Sequence, residues 1–293
     1  EVREAAAEAL LEYISDHPWE KERAMGVGAL IQALEGDEVA KVRKAAAEAL
    51  GGGLDVVDDI SRALAALSRA LVGSKTHDKD KDSEVREAAA DALADIGDPR
   101  AIEALKQAMM GDECSNKPRA IEALKRAMMG DERESVQEAA MQALFVICKQ
   151  ALVGDDERSK DESWEAREAA AKALGYCGLN YEAAAIGVLS HALAGDETHE
   201  NKDEVAVVRK AAANSLGSFM GKGSVVALSQ ALVGDASHKT KDGDWEVREA
   251  AAEALLEYIS DHPWEKERAM GVGALIQALE GDEVAKVRKA AAE

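Results

Sequence analysis

The chain alternates two short patterns of apolar and polar residues. In the first, EVREAAAEAL at the start of the sequence, Val2, Ala6, Ala9 and Leu10 follow the i, i+4, i+7 spacing that collects apolar side chains on one face of an α-helix. The second is typified by GALIQALEGD (28–37), and the pair of patterns recurs about every 40 residues. Glycine at the end of the second pattern favours a left-handed helix cap. Each pattern therefore predicts one amphipathic helix.

Helices of about 12 residues are marginally stable alone in water, so these helices must gain stability by stacking on one another. The sequence predicts an all-α fold, a right-handed α-solenoid (α–α superhelix) of about seven helical hairpins in a single repeat array. The predicted units are 1–37, 38–83, 84–113, 114–162, 163–203, 204–244 and 245–293.

The alternation of patterns is irregular over 114–153. PRAIEALKQAMMGDE (99–113) returns with one change at 118–132, which duplicates a second-pattern helix where a first-pattern helix is due. Both patterns then run together without a turn residue. We expect three helices here, over 100–110, 119–129 and 134–152. The duplication is either a tolerated copying accident or a deliberate bend in the superhelix.

The stretch DSEVREAAADALADIGDPRAIEALKQAMMGDE (82–113) resembles the HEAT-like repeat of the phycobilisome-lyase (PBS lyase) type. The resemblance implies that the arginine near the start of each first pattern forms a ladder with acidic groups of neighbouring repeats. We expect an interruption at Gln137, which replaces this arginine once. The arginines are Arg3, Arg43, Arg86, Arg167, Arg209, Arg248 and Arg288.

The family resemblance also implies two functions as alternatives to a binding scaffold. One is a subunit of a phycobilin lyase or isomerase. The other is the repeat sensor region of a larger signalling or defence protein. No residue of the chain selects a tetrapyrrole, and a fold of this kind hosts several functions.

The chain carries the same 48 residues twice, at 1–48 and at 246–293. The last repeat can therefore stack on its neighbour as the first would stack on a preceding copy. An array of this kind extends past both ends at low cost. The duplication predicts either a larger natural or constructed array, or end-to-end self-association.

Charge and cysteine content narrow the partners and the compartment. A formal net charge of -21 disfavours nucleic acid and anionic membrane surfaces, and it favours a basic protein or peptide. The three cysteines, Cys114, Cys148 and Cys177, form no CxxC pair. We interpret them as thiols of a reducing, cytoplasmic compartment.

Asp78, Asp80 and Asp82 have the spacing of a calcium-binding loop. Ser83 stands where such a loop needs its sharp-turning glycine, and Ala89 stands where it needs a bidentate glutamate. We therefore interpret this stretch as a solvated, charged loop, and three further connections of the same kind follow at 155–165, 196–206 and 235–246.

Two histidines, His199 and His238, occupy similar positions in neighbouring connections. A metal ion shared between the two histidines would need rigid loops, and these polar sequences do not predict rigid loops. No catalytic or phosphate-binding motif is present. We expect no metal, no cofactor and no enzymatic activity.

The repeats themselves indicate a binding face, because positions that vary between them are released from stacking. Two such rows lie four residues apart on one face of the first-pattern helices. The rows are Glu8, Glu48, Asp91, Gln142, Lys172, Asn214, Glu253 and Glu12, Gly52, Asp95, Val146, Tyr176, Ser218, Glu257.

The middle of these rows is less charged than its ends and is flanked by aromatic residues, as interface centres are. The resemblance places the rows on the concave surface. We predict a non-catalytic protein–protein interaction scaffold. Its candidate contacts are Gln142, Val146, Trp164, Lys172, Tyr176, Asn214, Ser218 and Trp245. As an alternative, Tyr176 and the two tryptophans fill gaps between helices.

Overall fold

The computed structural model describes residues 2–16, 20–52, 54, 57–73, 78–96, 98–110, 117–130, 134–154, 160–177, 180–195, 202–219, 221–234, 241–261 and 267–292. Within these ranges all regular structure is α-helical, and the predicted all-α class is confirmed. The chain divides into two compact units, Glu1–Leu144 and Phe145–Glu293. The division into seven repeats stays a prediction.

Stacked helical hairpins build the first unit. We call helices with the first pattern first helices and those with the second pattern second helices. The unit contains α1 (Val2–Asp16), α2 (Glu20–Gly36), α3 (Ala40–Gly51), α4 (Val57–Val72), α5 (Ser83–Ile96), α6 (Pro99–Met110), α7 (Lys117–Gly130) and the start of α8 (Glu134–Val153). First helices pack in the order α1, α3, α5, and second helices in the order α2, α4, α6. This is the predicted solenoid arrangement.

The second unit repeats the same architecture. It contains the rest of α8, then α9 (Trp164–Leu174), α10 (Glu182–Ala194), α11 (Ala206–Gly217), α12 (Lys222–Val233), α13 (Trp245–Asp261), α14 (Arg268–Gly281) and α15 (Ala285–Ala290). First helices pack in the order α9, α11, α13, α15, and second helices in the order α10, α12, α14. Each second helix also packs against the following first helix, for example α12 against α13.

Small residues let neighbouring first helices approach closely at their C-terminal ends. A Cβ atom on Gly51 would lie 2.7 Å from Cα of Ala92, and one on Gly217 would lie 3.0 Å from Cβ of Ala254. A side chain at Gly51 would therefore force α3 and α5 apart. Alanine and glycine set the helix spacing, and this spacing fixes the distance between exposed positions of successive repeats.

Second helices end in two ways. Before long connections, Gly73, Gly195 and Gly234 take φ angles of 82°, 85° and 80°, as predicted for a glycine cap. At Gly36 and Gly281 the prediction of a left-handed cap is wrong, because both glycines are the last helical residues. The aspartate that follows each glycine is the last residue to make a helical hydrogen bond. Its backbone N–H donates to the carbonyl four residues earlier.

The three helices predicted for the irregular region are confirmed as α6, α7 and α8. Although α7 has the second pattern, it packs against α5 and α6 and holds the place of a first helix. At its C-terminal end, α8 has the geometry of a second helix, because Gly154 has a φ of 80° and the Asp161 N–H donates to the Ala151 carbonyl. The duplicated helix α7 therefore takes the place of a first helix, and the long α8, which contains both patterns, ends as a second helix.

Candidate functional site

A ladder of arginine–aspartate pairs joins neighbouring repeats in the second unit. Nε and Nη2 of Arg209 donate to the two carboxylate oxygens of Asp242 at 2.7 and 2.8 Å. Arg248 binds Asp282 in the same way, at 2.8 and 3.1 Å. The bidentate fork satisfies both buried charges, which would otherwise be costly. The arginine ladder predicted from the resemblance is confirmed here.

Each arginine also holds its own loop, through the aspartate six residues before it. Nη1 of Arg209 donates to the carbonyl of Asp203 at 2.8 Å, and the Asp203 carboxylate accepts from the N–H of Val205 at 2.9 Å. Asp203 pairs in turn with Arg167, 2.6 Å from its Nε. One aspartate thus links two repeats and shapes the turn into the first helix.

The first unit contains the same kind of ladder. Arg43 binds Asp80 at 2.6 and 2.9 Å, and Arg86 donates to the Asp80 carbonyl at 2.7 Å. Both oxygens of Asp80, the middle carboxylate of the calcium-like series, are therefore bound to a guanidinium. The interpretation of these connections as solvated loops is wrong at their C-terminal ends, because Asp203 and Asp242 are buried.

Ion pairing keeps the ladder carboxylates charged. Burial raises the pKa of Asp282, but hydrogen bonds from Arg248, the Val284 N–H and Lys241 outweigh burial and lower this pKa to about 2. The pKa of Asp242 is lowered in the same way, with Arg209 opposing its burial. These carboxylates serve the structure and are poorly suited to proton transfer near neutral pH.

Other candidate chemistry lies elsewhere. Burial raises the pKa of the Cys148 thiol and raises that of Cys177 to about 11, so both thiols are protonated at neutral pH. Cys114, His199 and His238 lie outside the described residues. Among the residues that the structure describes, no group of three or more His, Cys, Asp or Glu side chains is placed to hold a metal ion.

Four of the predicted contact residues in the second unit lie on its first helices or just after the helix ends. Lys172 on α9 and Asn214 on α11 occupy equivalent positions, and Tyr176 and Ser218 follow them one turn later. All four are exposed, and Tyr176 has half of its surface accessible. We call these four residues the variable face. Since α9 and α11 pack side by side, the variable face is continuous from one helix to the next.

Local packing positions the variable face. Lys172 forms an ion pair with Glu168 at 2.6 Å, one turn earlier on α9. Between Lys172 and Tyr176, Gly175 approaches α11, where an added Cβ would lie 3.0 Å from Oγ of Ser215. The glycine therefore brings the end of α9 close to α11.

Two further predicted contacts, Gln142 and Val146, lie on a different helix, and their place on the binding face stays a prediction. Both are exposed, but they lie on α8, which ends as a second helix. Gln142 belongs to the first unit and Val146 to the second. Sequence alone put them in the same row because α8 carries the first pattern over its N-terminal half.

In the first unit, two acidic residues at the equivalent positions of α5, Asp91 and Asp95, form ion pairs with arginines. Asp91 on α5 pairs with both Arg119 and Arg126 of α7, and Arg126 also lies 3.7 Å from Asp95. The duplicated helix thus covers part of the acidic row that precedes it. The second unit leaves its row exposed.

The two tryptophans occupy the first position of a first helix. Trp164 begins α9 and is exposed, whereas Trp245 begins α13 and is half-buried. The side chain of Lys286 lies over the Trp245 ring, with Nζ 4.4 Å from the ring centroid. Lys286 thus already occupies the face of the Trp245 ring.

Sequence reasoning did not identify the aspartates that the ladder uses. The signal was present, because an aspartate stands six residues before each of Arg43, Arg86, Arg167, Arg209, Arg248 and Arg288. The prediction concerned only acidic groups of neighbouring repeats. A search for a constant spacing between opposite charges would have found these residues.

Comparison with known proteins gives a family for part of the chain. Residues 27–116 match a family model described as HEAT repeats. No curated protein matches the chain. In the part that the structure describes, no helix has the length and apolar character needed to cross a membrane.

Three solved structures are similar over most of the chain. An engineered protein is 23% identical, with a TM-score of 0.46, over 99% of this chain and 72% of that one. Human deoxyhypusine hydroxylase in complex with glycerol is 22% identical, with a TM-score of 0.35, over 99% and 95%. The complex of CpcE and CpcF of phycocyanin lyase from Nostoc is 20% identical, with a TM-score of 0.39, over 94% and 88%.

Proposed function

We propose that the protein is a non-catalytic scaffold that binds a basic protein or peptide on the variable face. The observation that carries this proposal is the contrast between constant and changing positions. The ladder and the buried alanines recur from repeat to repeat, whereas the exposed positions read Lys172, Asn214 and Glu253 in successive repeats. Stacking explains the constant positions, and contact with a partner explains the changing ones.

Two further observations support the choice of partner. The net charge of -21 favours a cationic partner, because opposite potentials accelerate encounter and suppress wrong partners. Tyr176 supplies the kind of exposed aromatic side chain that dominates binding energy in many interfaces.

Since Cys148 and Cys177 are free thiols, we place the protein in the reducing cytoplasm.

Capture from the source-cell lysate tests this proposal. Tyr176→Lys places a positive charge at the centre of the variable face, and Ala183→Lys adds the same charge at an exposed position of α10. We expect a polypeptide that wild type and Ala183→Lys retain and that Tyr176→Lys binds at least about tenfold more weakly. Circular dichroism should show equal helicity. Equal capture by all three proteins would remove the variable face from consideration.

End-to-end self-association is a second candidate, favoured by the exposure of apolar residues at both outer repeats. Val2 on α1 and Leu279 on α14 are exposed, while their counterparts in the other 48-residue copy, Val247 and Leu34, are buried. Each exposed position therefore suits contact with a neighbouring repeat. Light scattering should show a mass that rises with concentration, and a constant single-chain mass would contradict the association.

A further inference from the structure

Lys286 shows how this fold binds a cation on an aromatic ring. Trp245 begins α13, three residues before Arg248, and Lys286 lies on the neighbouring first helix, α15, two residues before Arg288. The Nζ–centroid distance of 4.4 Å is within the range of a cation–π contact. The contact joins the first residue of one helix to its neighbour in the next repeat.

Trp164 stands in the same arrangement, with one residue changed. It begins α9, three residues before Arg167, and the neighbouring first helix is α11. The stretches DEVAVVR (203–209) and DEVAKVR (282–288) differ only in Val207 and Lys286. Their backbones also agree, because the residue before each helix has φ and ψ of -92° and 118° in one and -94° and 123° in the other.

The substitution leaves the Trp164 ring without the lysine that covers its counterpart. Valine offers no positive charge, and Trp164 is 42% exposed. An exposed indole ring attracts a cationic side chain to its face.

We propose that the Trp164 ring receives an arginine or lysine side chain of a basic peptide, in the position that Lys286 takes on Trp245. This inference rests on the proposed scaffold function and names the chemistry of the partner. The negative charge of the protein favours the same partner. Trp245, by contrast, is already covered and takes no part.

A titration with tetra-arginine tests the site, with tetra-citrulline as the neutral peptide of the same shape. The indole N–H resonance of Trp164 is followed by NMR, after assignment with Trp164→Phe. We expect a saturable shift at Trp164 with tetra-arginine, little change at Trp245, and no saturable shift with tetra-citrulline. An unchanged Trp164 resonance would overturn the proposal.

Two reciprocal variants sharpen the test. Val207→Lys restores the internal cation and should weaken tetra-arginine binding at Trp164 about two- to fivefold or more, whereas Ala183→Lys, which adds the same charge on α10, should weaken it less. Lys286→Val should create a shift at Trp245. Equal weakening by both lysine variants, or a Trp245 resonance that stays silent in Lys286→Val, would contradict a stacking site.

The result is separable from the test of the variable face. Tyr176→Lys leaves Trp164 in place, so the specific shift at Trp164 should persist in that variant. If partner capture is insensitive to Tyr176→Lys but the Trp164 titration behaves as expected, the variable face fails and the cation site stands. The converse outcome removes the cation site alone.

Discussion

The two identical 48-residue copies, 1–48 and 246–293, have different surroundings. Val2 is 85% exposed, and its counterpart Val247 is fully buried. In the second copy, α13 packs against α11 and α12 of the preceding repeat, whereas the same surface of α1 is exposed. The neighbouring repeat, and not the residue itself, decides what is core.

The ion pairs of the copies differ in the same way. The Arg248 and Asp282 side chains are 2% and 1% exposed, and the pair is bidentate. Arg3 and Asp37 are the same residues in the first copy, but the Arg3 side chain is 62% exposed and contacts Asp37 through Nη1 at 2.9 Å. Arg248 also donates to the carbonyl of Asp242, from the preceding loop.

The opposite surface shows the reverse contrast. Leu34 on α2 is 2% exposed, because α4 packs against that helix, whereas Leu279 on α14 is 42% exposed. Each copy therefore exposes a surface that the other buries. The energy of this fold resides in contacts between repeats, as expected for a repeat protein.

The largest expected effect comes from the buried ion pair. Arg248→Ala leaves the Asp282 charge buried with less compensation, so the free energy of unfolding should fall by about 3–5 kcal/mol. Arg3→Ala should lower it by less than about 1 kcal/mol, because the Arg3 side chain is 62% exposed and water already solvates its charge. Urea unfolding followed by circular dichroism compares the two variants, and equal losses would contradict the comparison.

Truncation of a leucine tests the opposite surface. Leu34→Ala removes a buried side chain and should cost about 2–5 kcal/mol of unfolding free energy. Leu279→Ala, in the identical sequence, should cost less than about 1 kcal/mol, since much of that side chain is already in water. Calorimetry provides the measurement. A large loss from Leu279→Ala would show that another molecule covers this surface in solution.

Acid should weaken the second copy through Asp282. Its folded-state pKa of about 2 lies below the ordinary value of 3.8, so the ionised form stabilises the fold above about pH 4. This contribution, roughly 2 kcal/mol, should be lost as the pH falls from about 4 to 2. Unfolding free energy measured over this range should fall less steeply for Asp282→Asn, and parallel profiles would contradict the assignment.

The smallest effect is expected from Lys241. Its Nζ lies 3.0 Å from Oδ2 of Asp282, but the lysine side chain is partly exposed and Arg248 already compensates the carboxylate. Lys241→Ala should therefore lower the unfolding free energy by less than about 1 kcal/mol. A loss as large as that of Arg248→Ala in the same urea experiment would mean that the lysine belongs to the buried pair.

Much of the fold could be read from the sequence. The 3.6-residue periodicity and the recurrence of two patterns predict the helices, and even the bounds of α6, α7 and α8 agree with expectation. A short amphipathic helix has few alternatives once its neighbours are copies of itself. The order of the patterns along the chain also predicts that the duplicated helix α7 stands where a first helix is due, and its packing against α5 confirms this.

The surface was harder to predict than the stacking. Lys172 and Asn214 do lie at equivalent, exposed positions of α9 and α11. The contrast between Trp164 and Trp245 depends on Lys286, which lies about 40 residues further along the chain, and only the packing of α13 against α15 brings it to the ring. Side-chain contacts between repeats need the helix spacing that alanine and glycine set.

The ladder also bears on how such a gene changes length. One period of the chain contains both an aspartate such as Asp242 and the arginine that follows it, Arg248, and each partner is the equivalent group of the adjoining period. Unequal crossing-over that adds or removes a whole repeat therefore places each arginine next to the aspartate of another repeat. No buried charge is left without its partner at the junction. The number of repeats can therefore change while every interface between neighbouring repeats keeps its arginine–aspartate pair.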